Sequence, residues 1–443
     1  LGGSVRKKYY ALFVFALGGT GTGGQALAQT GDLLGLRIDA AIDVRSVDNA
    51  ALRPDSEEQI KETQTFATLS ADGHLKGEWS EFNTEYRLEN RRHSEISEND
   101  ETVILGDLKL ILGPQHRRYY LELSHSSREV SIDPLAEDLP SNRDNREIYS
   151  VSAHGDLISG RGNTLSLWAG ASDIKFDENK TNESRRFSVG ASFDHAVSPV
   201  SVSGVVLTGY ELKYQNLDNS DVQYGRAAVY WRTALRRISY GAEIGGNNIK
   251  SDTDSTTSPS ISADLTYRSG LQTLLVAYNQ YLSDTSQGGQ ETGRFQPRVE
   301  VDGRLGDVVD QYRLQRFVVS WTHDQICAVC TMSIDLALDQ ETYVTFPELD
   351  SREMRTGFEF DYKPSRYWGL SLGANFRDFQ EVKVEPRTGY DERQWELSVN
   401  FPQIVRNGML ELFTGNVKRD LKPAGGYDYN YVGARFIYRL YER

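Results

Sequence analysis

The chain has 443 residues, a formal net charge of −14, 38% hydrophobic and 11% aromatic residues, and a mean hydropathy of −0.52. That acidic balance weighs against nucleic acid as a partner, and the apolar fraction is thin for one packed core of this size. No stretch approaches the ~20 consecutive apolar residues of a membrane-crossing helix, while 24 tyrosines and 17 phenylalanines against 3 methionines argue against disorder.

At the N-terminus, Arg6, Lys7 and Lys8 precede an apolar run from Tyr9 to Leu17, and small residues follow, ending Ala26-Leu27-Ala28. This is the pattern of an export signal, residues 1–28, cut after Ala28. Losing those three basic residues takes the formal charge to −17 and leaves residues 29–443 as one domain without a linker-like change of composition.

The next segment has two faces that hardly mix. Leu36, Ile38, Ala40, Ile42 and Val44 alternate with Arg37, Asp39, Ala41, Asp43 and Arg45, the period of a strand with one apolar side. The same alternation returns at Phe82-Thr84-Tyr86-Leu88, Tyr149-Val151-Ala153, Phe187-Val189-Ala191-Phe193, Phe358-Phe360-Tyr362, Trp395-Leu397-Val399-Phe401 and Val432-Ala434-Phe436-Tyr438-Leu440. Segments of about ten residues with this period predict an all-β, transmembrane, antiparallel up-and-down barrel of about 18–20 strands.

Connections alternate in length. Short ones are expected at Asp72-Gly73, Gly113-Pro114, residues 159–163, Ser198-Pro199, Arg268-Ser269-Gly270 and Lys363-Pro364-Ser365. Long polar ones are expected at residues 46–62, 91–101, 128–145, 249–260, 283–307 and 380–392. Outer-membrane barrels have short periplasmic turns and long external loops, so both chain ends are expected on the periplasmic side. The only cysteines, Cys327 and Cys330, lie between two strand patterns, where a disulfide across a turn suits an exported protein better than a redox or zinc site.

Residues 146–151 (REIYSV), 163–170 (NTLSLWAG) and 230–235 (YWRTAL) resemble a group of Gram-negative outer-membrane barrels encoded near exopolysaccharide export loci and PEP-CTERM sorting systems. The resemblance implies an envelope role linked to polysaccharide and assigns no functional residue. Expected partners are outer-membrane lipid, lipopolysaccharide and the barrel-assembly machinery, with polysaccharide-export components implied by the resemblance. No cofactor and no metal are expected.

If the apolar faces meet lipid, the candidate lumen residues are Arg37, Asp39, Asp43, Arg45, Tyr224, Arg226, Tyr230, Arg232, Arg435 and Arg439. Interspersed charges of both signs can orient a polar solute in a water-filled passage. They can equally pair across neighbouring strands and stiffen the wall. Tyr210, Tyr214, Tyr224, Tyr230 and Tyr240, with Trp168 and Trp231, suit interfacial belts, although Tyr224 and Tyr230 share the inward face with Arg226 and Arg232. Porin-like passage of polar solute or exopolysaccharide is therefore expected, with a non-conducting structural or surface-interaction barrel as the alternative. A lipid hydrolase is the remote third: His125 and Ser127 share the lipid face with Leu121 and Leu123, and Asn145 or Glu147 on the next strand could orient the imidazole.

Overall fold

The computed structural model describes residues 34–54, 57–113, 118–132, 135–136, 139–160, 162–216, 221–251, 255–284, 310–383, 388–422 and 425–442. The export signal predicted at residues 1–28 lies outside them. Ten strands occupy the first part of the chain: β1 (Leu34–Val47), β2 (Glu62–Lys76), β3 (Ser80–His93), β4 (Glu101–Leu112), β5 (Tyr119–Ser131), β6 (Arg143–Gly160), β7 (Asn163–Phe176), β8 (Ser184–Ser198), β9 (Ser201–Tyr214) and β10 (Val222–Ala234). Ten more follow: β11 (Ile238–Ser251), β12 (Ser255–Ser269), β13 (Gln272–Asp284), β14 (Gln311–Cys327), β15 (Cys330–Tyr343), β16 (Ser351–Tyr362), β17 (Gly369–Glu381), β18 (Gly389–Val405), β19 (Gly408–Lys422) and β20 (Gly426–Glu442).

Each strand pairs antiparallel with its neighbour in sequence, and β20 closes on β1, so the described residues form one closed 20-stranded barrel. Closure removes the free edges that an open sheet would expose. Long connections collect at one end, and short turns collect at the other with both ends of the strand series.

Two predicted connections are corrected. Asp72-Gly73 lies inside β2, and the turn comes at residues 77–79, where Gly77 N–H donates to the Ser80 carbonyl at 2.7 Å. Gly73 instead makes room for a crowded contact, since a Cβ there would meet Thr84 Cγ2 at 3.1 Å and Leu36 Cδ1 at 3.3 Å. Nor is 249–260 a long loop: β11 runs to Ser251 and β12 starts at Ser255. The 283–307 segment falls mostly outside the described residues. The two cysteines are joined, with Cα atoms 4.9 Å apart, across the short turn between β14 and β15.

β10 shows how the alternation sorts. Tyr224, Ala228 and Tyr230 are buried, while Val229 and Trp231 between and beside them are exposed. The buried parity is the inner one, because Arg186 on β8 hydrogen-bonds Asp284 at the end of β13, five strands away, at 2.5 Å. A contact over that separation crosses the lumen. Register partners share a face, so the inner parity carries around the whole ladder.

The long-loop end is narrowed. Leu139, from the β5–β6 connection, packs on a cluster of Val47, Leu52, Phe413, Val417, Tyr427 and Tyr431. Arg419 on β19 also donates to the Ala136 carbonyl of that connection at 3.1 Å. Two ladders stop short at this end. Pairing of β12 with β13 reaches only Ile261 and Gln280. Pro259, which has no N–H for a ladder, accepts a bond from Gln280 Nε2 at 3.2 Å instead. Pairing of β4 with β5 stops at Gly106 and Ser127. The wall is continuous toward the short turns and divided toward the long loops.

Candidate functional site: the barrel interior

Ion pairs between adjacent strands line much of the inner face. Arg435 on β20 donates to Asp43 on β1 at 2.8 Å and to Glu411 on β19 at 3.0 Å. Arg439 lies 3.5 Å from Asp39, which also pairs with Arg37 at 2.5 Å. Arg45 donates to Gln64 at 3.0 Å and stands 4.2 Å over the Phe66 ring. Arg226 pairs with Glu243 and donates to Ser260, and Arg232 lies 5.1 Å over the Tyr230 ring. Farther around, Arg316 grips Asp339 through two bonds of 2.6 and 2.7 Å, and Arg355 reaches the same carboxylate at 2.6 Å. Where such a pair is partly solvated, as at Arg435 and Glu411, it is worth only ~0.2–1 kcal/mol, whereas the buried Arg316–Asp339 pair must also offset the desolvation of both charges. The main effect of these pairs is to hold charged groups in fixed positions on the wall.

Aromatic rings share this face. Tyr210 and Tyr224 stack with centroids 4.5 Å apart, and the Arg186 guanidinium covers Tyr210 at 4.2 Å. Tyr210 also donates to Asp284 at 3.2 Å, which joins β9 to the cross-lumen contact. Arg419 lies 4.4 Å over Tyr390, itself 5.3 Å from Phe379. Guanidinium groups stack on aromatic faces through the ring quadrupole, more strongly where water is excluded.

Inward glycines accommodate the largest rings. A Cβ on Gly190 would lie 2.1 Å from the Trp168 ring, and one on Gly204 would lie 2.4 Å from the Tyr230 ring. The belt assignment is therefore corrected for Trp168, Tyr210 and Tyr214, which lie inside with the inward Tyr224 and Tyr230, packed into two clusters on the inner face. Trp231 and Tyr240 are exposed on the outer face, near the short turns with Tyr119, Trp368 and Tyr438.

The hydrolase arrangement does not assemble. The Ser127 hydroxyl donates to the Ile104 carbonyl at 2.6 Å and lies 3.1 Å from Asn145 Oδ1. The His125 Nδ1 is bonded to the Tyr86 hydroxyl instead of to an acid or amide partner.

Arg186, Asp284, Arg316, Asp339 and Arg419 were missing from the sequence-derived set. Arg186 was accessible from its phase, one residue from outward Phe187 and four from Gly190. Asp284 had no such signal, because its position depends on β13 leaving β12.

No protein-family model matches the chain, and no curated protein sequence matches it. Among solved structures, the chain is similar to OccK2 (OpdF) of Pseudomonas aeruginosa, at 10% identity and TM-score 0.40, covering 92% of this chain and 98% of that one. It is also similar to OpdK of the same organism, crystallised with vanillate, at 9% identity and TM-score 0.39, covering 91% and 98%. A loop-deletion mutant of OmpT from Vibrio cholerae matches at 9% identity and TM-score 0.36, covering 92% and 100%. At this depth of similarity no activity passes from those proteins to this chain.

Proposed function

We propose that the chain is a porin-like channel in the outer membrane of a Gram-negative bacterium, carrying polar solutes along the barrel axis. The observation that carries this is the contrast of faces: fixed charges and stacked rings inside, and exposed apolar side chains such as Ile42, Val189, Val229 and Ile244 outside. Such an exterior matches a hydrocarbon layer, and such an interior suits water and hydrogen-bonding solutes.

For the solute we favour sugars, with exopolysaccharide as the candidate motivated by the resemblance at residues 146–151, 163–170 and 230–235. Support comes from Tyr210, Tyr224 and Tyr390 beside guanidinium groups, which offer flat apolar faces and donors together. A non-conducting barrel is the second candidate, favoured by the Arg186–Asp284 contact across the lumen. Swelling of protein-loaded liposomes in isotonic sugar separates them. Entry of mono- and oligosaccharides is expected, and it should rise in Asp284→Ala. Impermeability of both proteins would favour the non-conducting barrel.

A further inference from the structure

The wall of the barrel has an opening between β4 and β5 near the long loops. Their register runs only from Leu112 opposite Leu121 to Gly106 opposite Ser127. Beyond it, residues 101–105 pair with β3 and residues 128–131 pair with β6, but not with each other. Gly106 is where the strands part. Its φ of +141° suits glycine, and a Cβ there would lie 2.0 Å from the Glu85 carbonyl oxygen.

Side chains show that the gap passes through the sheet. Arg91 on β3 is opposite Phe66 and Glu101, which share the inner face. Glu129 has the parity of Ser127 and His125, the outer one, whereas its neighbour Val130 packs inward on Ile174 and Phe176. Yet Arg91 grips Glu129 through two bonds of 2.8 Å while also bonding Glu101 at 2.6 Å. A guanidinium that joins an inner carboxylate to an outer one occupies a slot in the wall.

The outer rim of the slot is polar and lies where the apolar outer positions Leu121, Leu123 and Val151 give way to Glu147, Asp173 and Lys175 on the neighbouring strands. Ser127, only 1% exposed, supplies a hydroxyl to the Ile104 carbonyl where a neighbouring strand would supply an amide. Asn145 stands beside it, and the His125 ring lies between Tyr86 and Tyr149, with centroids at 5.9 and 4.4 Å. Among the described residues the buried His125 Nε2 has no hydrogen-bond partner. Unpaired strand edges and a lone imidazole nitrogen are costly against hydrocarbon alone.

We infer that the β4–β5 slot is a lateral portal for an acyl-chain amphiphile of the surrounding leaflet. The chain of the ligand lies along Leu121 and Leu123, its polar head meets His125, Ser127 and Asn145, and the Arg91–Glu129 pair latches the passage to the lumen. The inference rests on the membrane-embedded part of the proposed function and not on axial conduction.

Single cysteines labelled with bimane at Leu105, Ser188 and Leu121 test it, in vesicles of phospholipid with brominated acyl chains; the native cysteines are already joined and take no label. Leu105 faces inward beside the slot, Ser188 faces inward in a fully paired stretch of wall, and Leu121 faces outward. Quenching is expected at Leu121 and Leu105 but not at Ser188, and it should increase at Leu105 in Arg91→Ala and in Glu129→Ala. Equal, weak quenching at Leu105 and Ser188 in all three backgrounds overturns the portal. Failure to quench Leu121 overturns instead the membrane-embedded barrel on which the portal depends. Heat-modifiable migration identifies which variants are folded, and either latch variant suffices.

Discussion

Adjacent side chains in β1 meet opposite environments. Ile42 is 55% exposed and Asp43 is 8% exposed and paired with Arg435. An arginine at a lipid-facing midplane position costs ~2–4 kcal/mol, whereas a hydrated lumen position tolerates it. Ile42→Arg should therefore lower the urea midpoint of the folded, heat-modifiable form far more than Asp43→Asn, which leaves Arg435 its bond to Glu411. Equal losses would contradict the assigned faces. Glycines give a second test at this scale. Gly190→Leu drives a side chain into Trp168 and should cost about 1–3 kcal/mol by overpacking, while Gly373→Ala, with nothing within 4 Å of its Cβ, should stay within about 0.5 kcal/mol.

Where elements end, the connections carry their own electrostatics. After β3 the chain turns through residues 94–100, and Asp100 accepts from Arg92 Nη1 at 2.9 Å and from the His93 amide at 2.7 Å. The Arg92 hydrogen bond first, and the His93 amide second, hold the Asp100 carboxyl below the usual carboxylate range. A depressed carboxyl contributes fully above its ordinary value and loses that contribution as pH falls through the lower one. The His93 amide shift should titrate with a midpoint below ~3.9, the unperturbed aspartate value, and lose this titration in Asp100→Asn. A midpoint at or above that value would contradict the contact.

Element boundaries were legible where turn chemistry and strand period agreed, as at Ser198-Pro199 and Lys363-Pro364-Ser365. They were misread at Asp72-Gly73, because a glycine that relieves crowding inside a strand looks locally like one that makes a turn. The inward phase of Tyr224, Arg226, Tyr230 and Arg232 could be read from β10 alone. Burial of Trp168 against Gly190 could not, because it depends on which strands are neighbours and in what register.

Across the whole molecule, the alternation of long and short connections predicts an orientation that labelling on intact cells can check. Single cysteines at Glu58 and Glu348, in long connections, should react with an impermeant thiol reagent, whereas Glu78 and Arg406, in short turns, should not. Reversal of the pattern would invert the barrel in the membrane. Closure into one antiparallel sheet followed from local period and hairpin length, both of which are written in sequence. Division of the wall near the long loops did not, since it depends on the backbone of Gly106, on the missing amide of Pro259 and on pairings between distant strands such as Arg186 with Asp284.

Single-channel recording in a planar bilayer tests the axial passage most directly. The wild type should give discrete conductance steps, Asp284→Ala should enlarge them by releasing the contact with Arg186 across the lumen, and Arg232→Ser should shift selectivity toward cations. A bilayer that stays silent with both the wild type and folded Asp284→Ala would contradict a solute-conducting barrel.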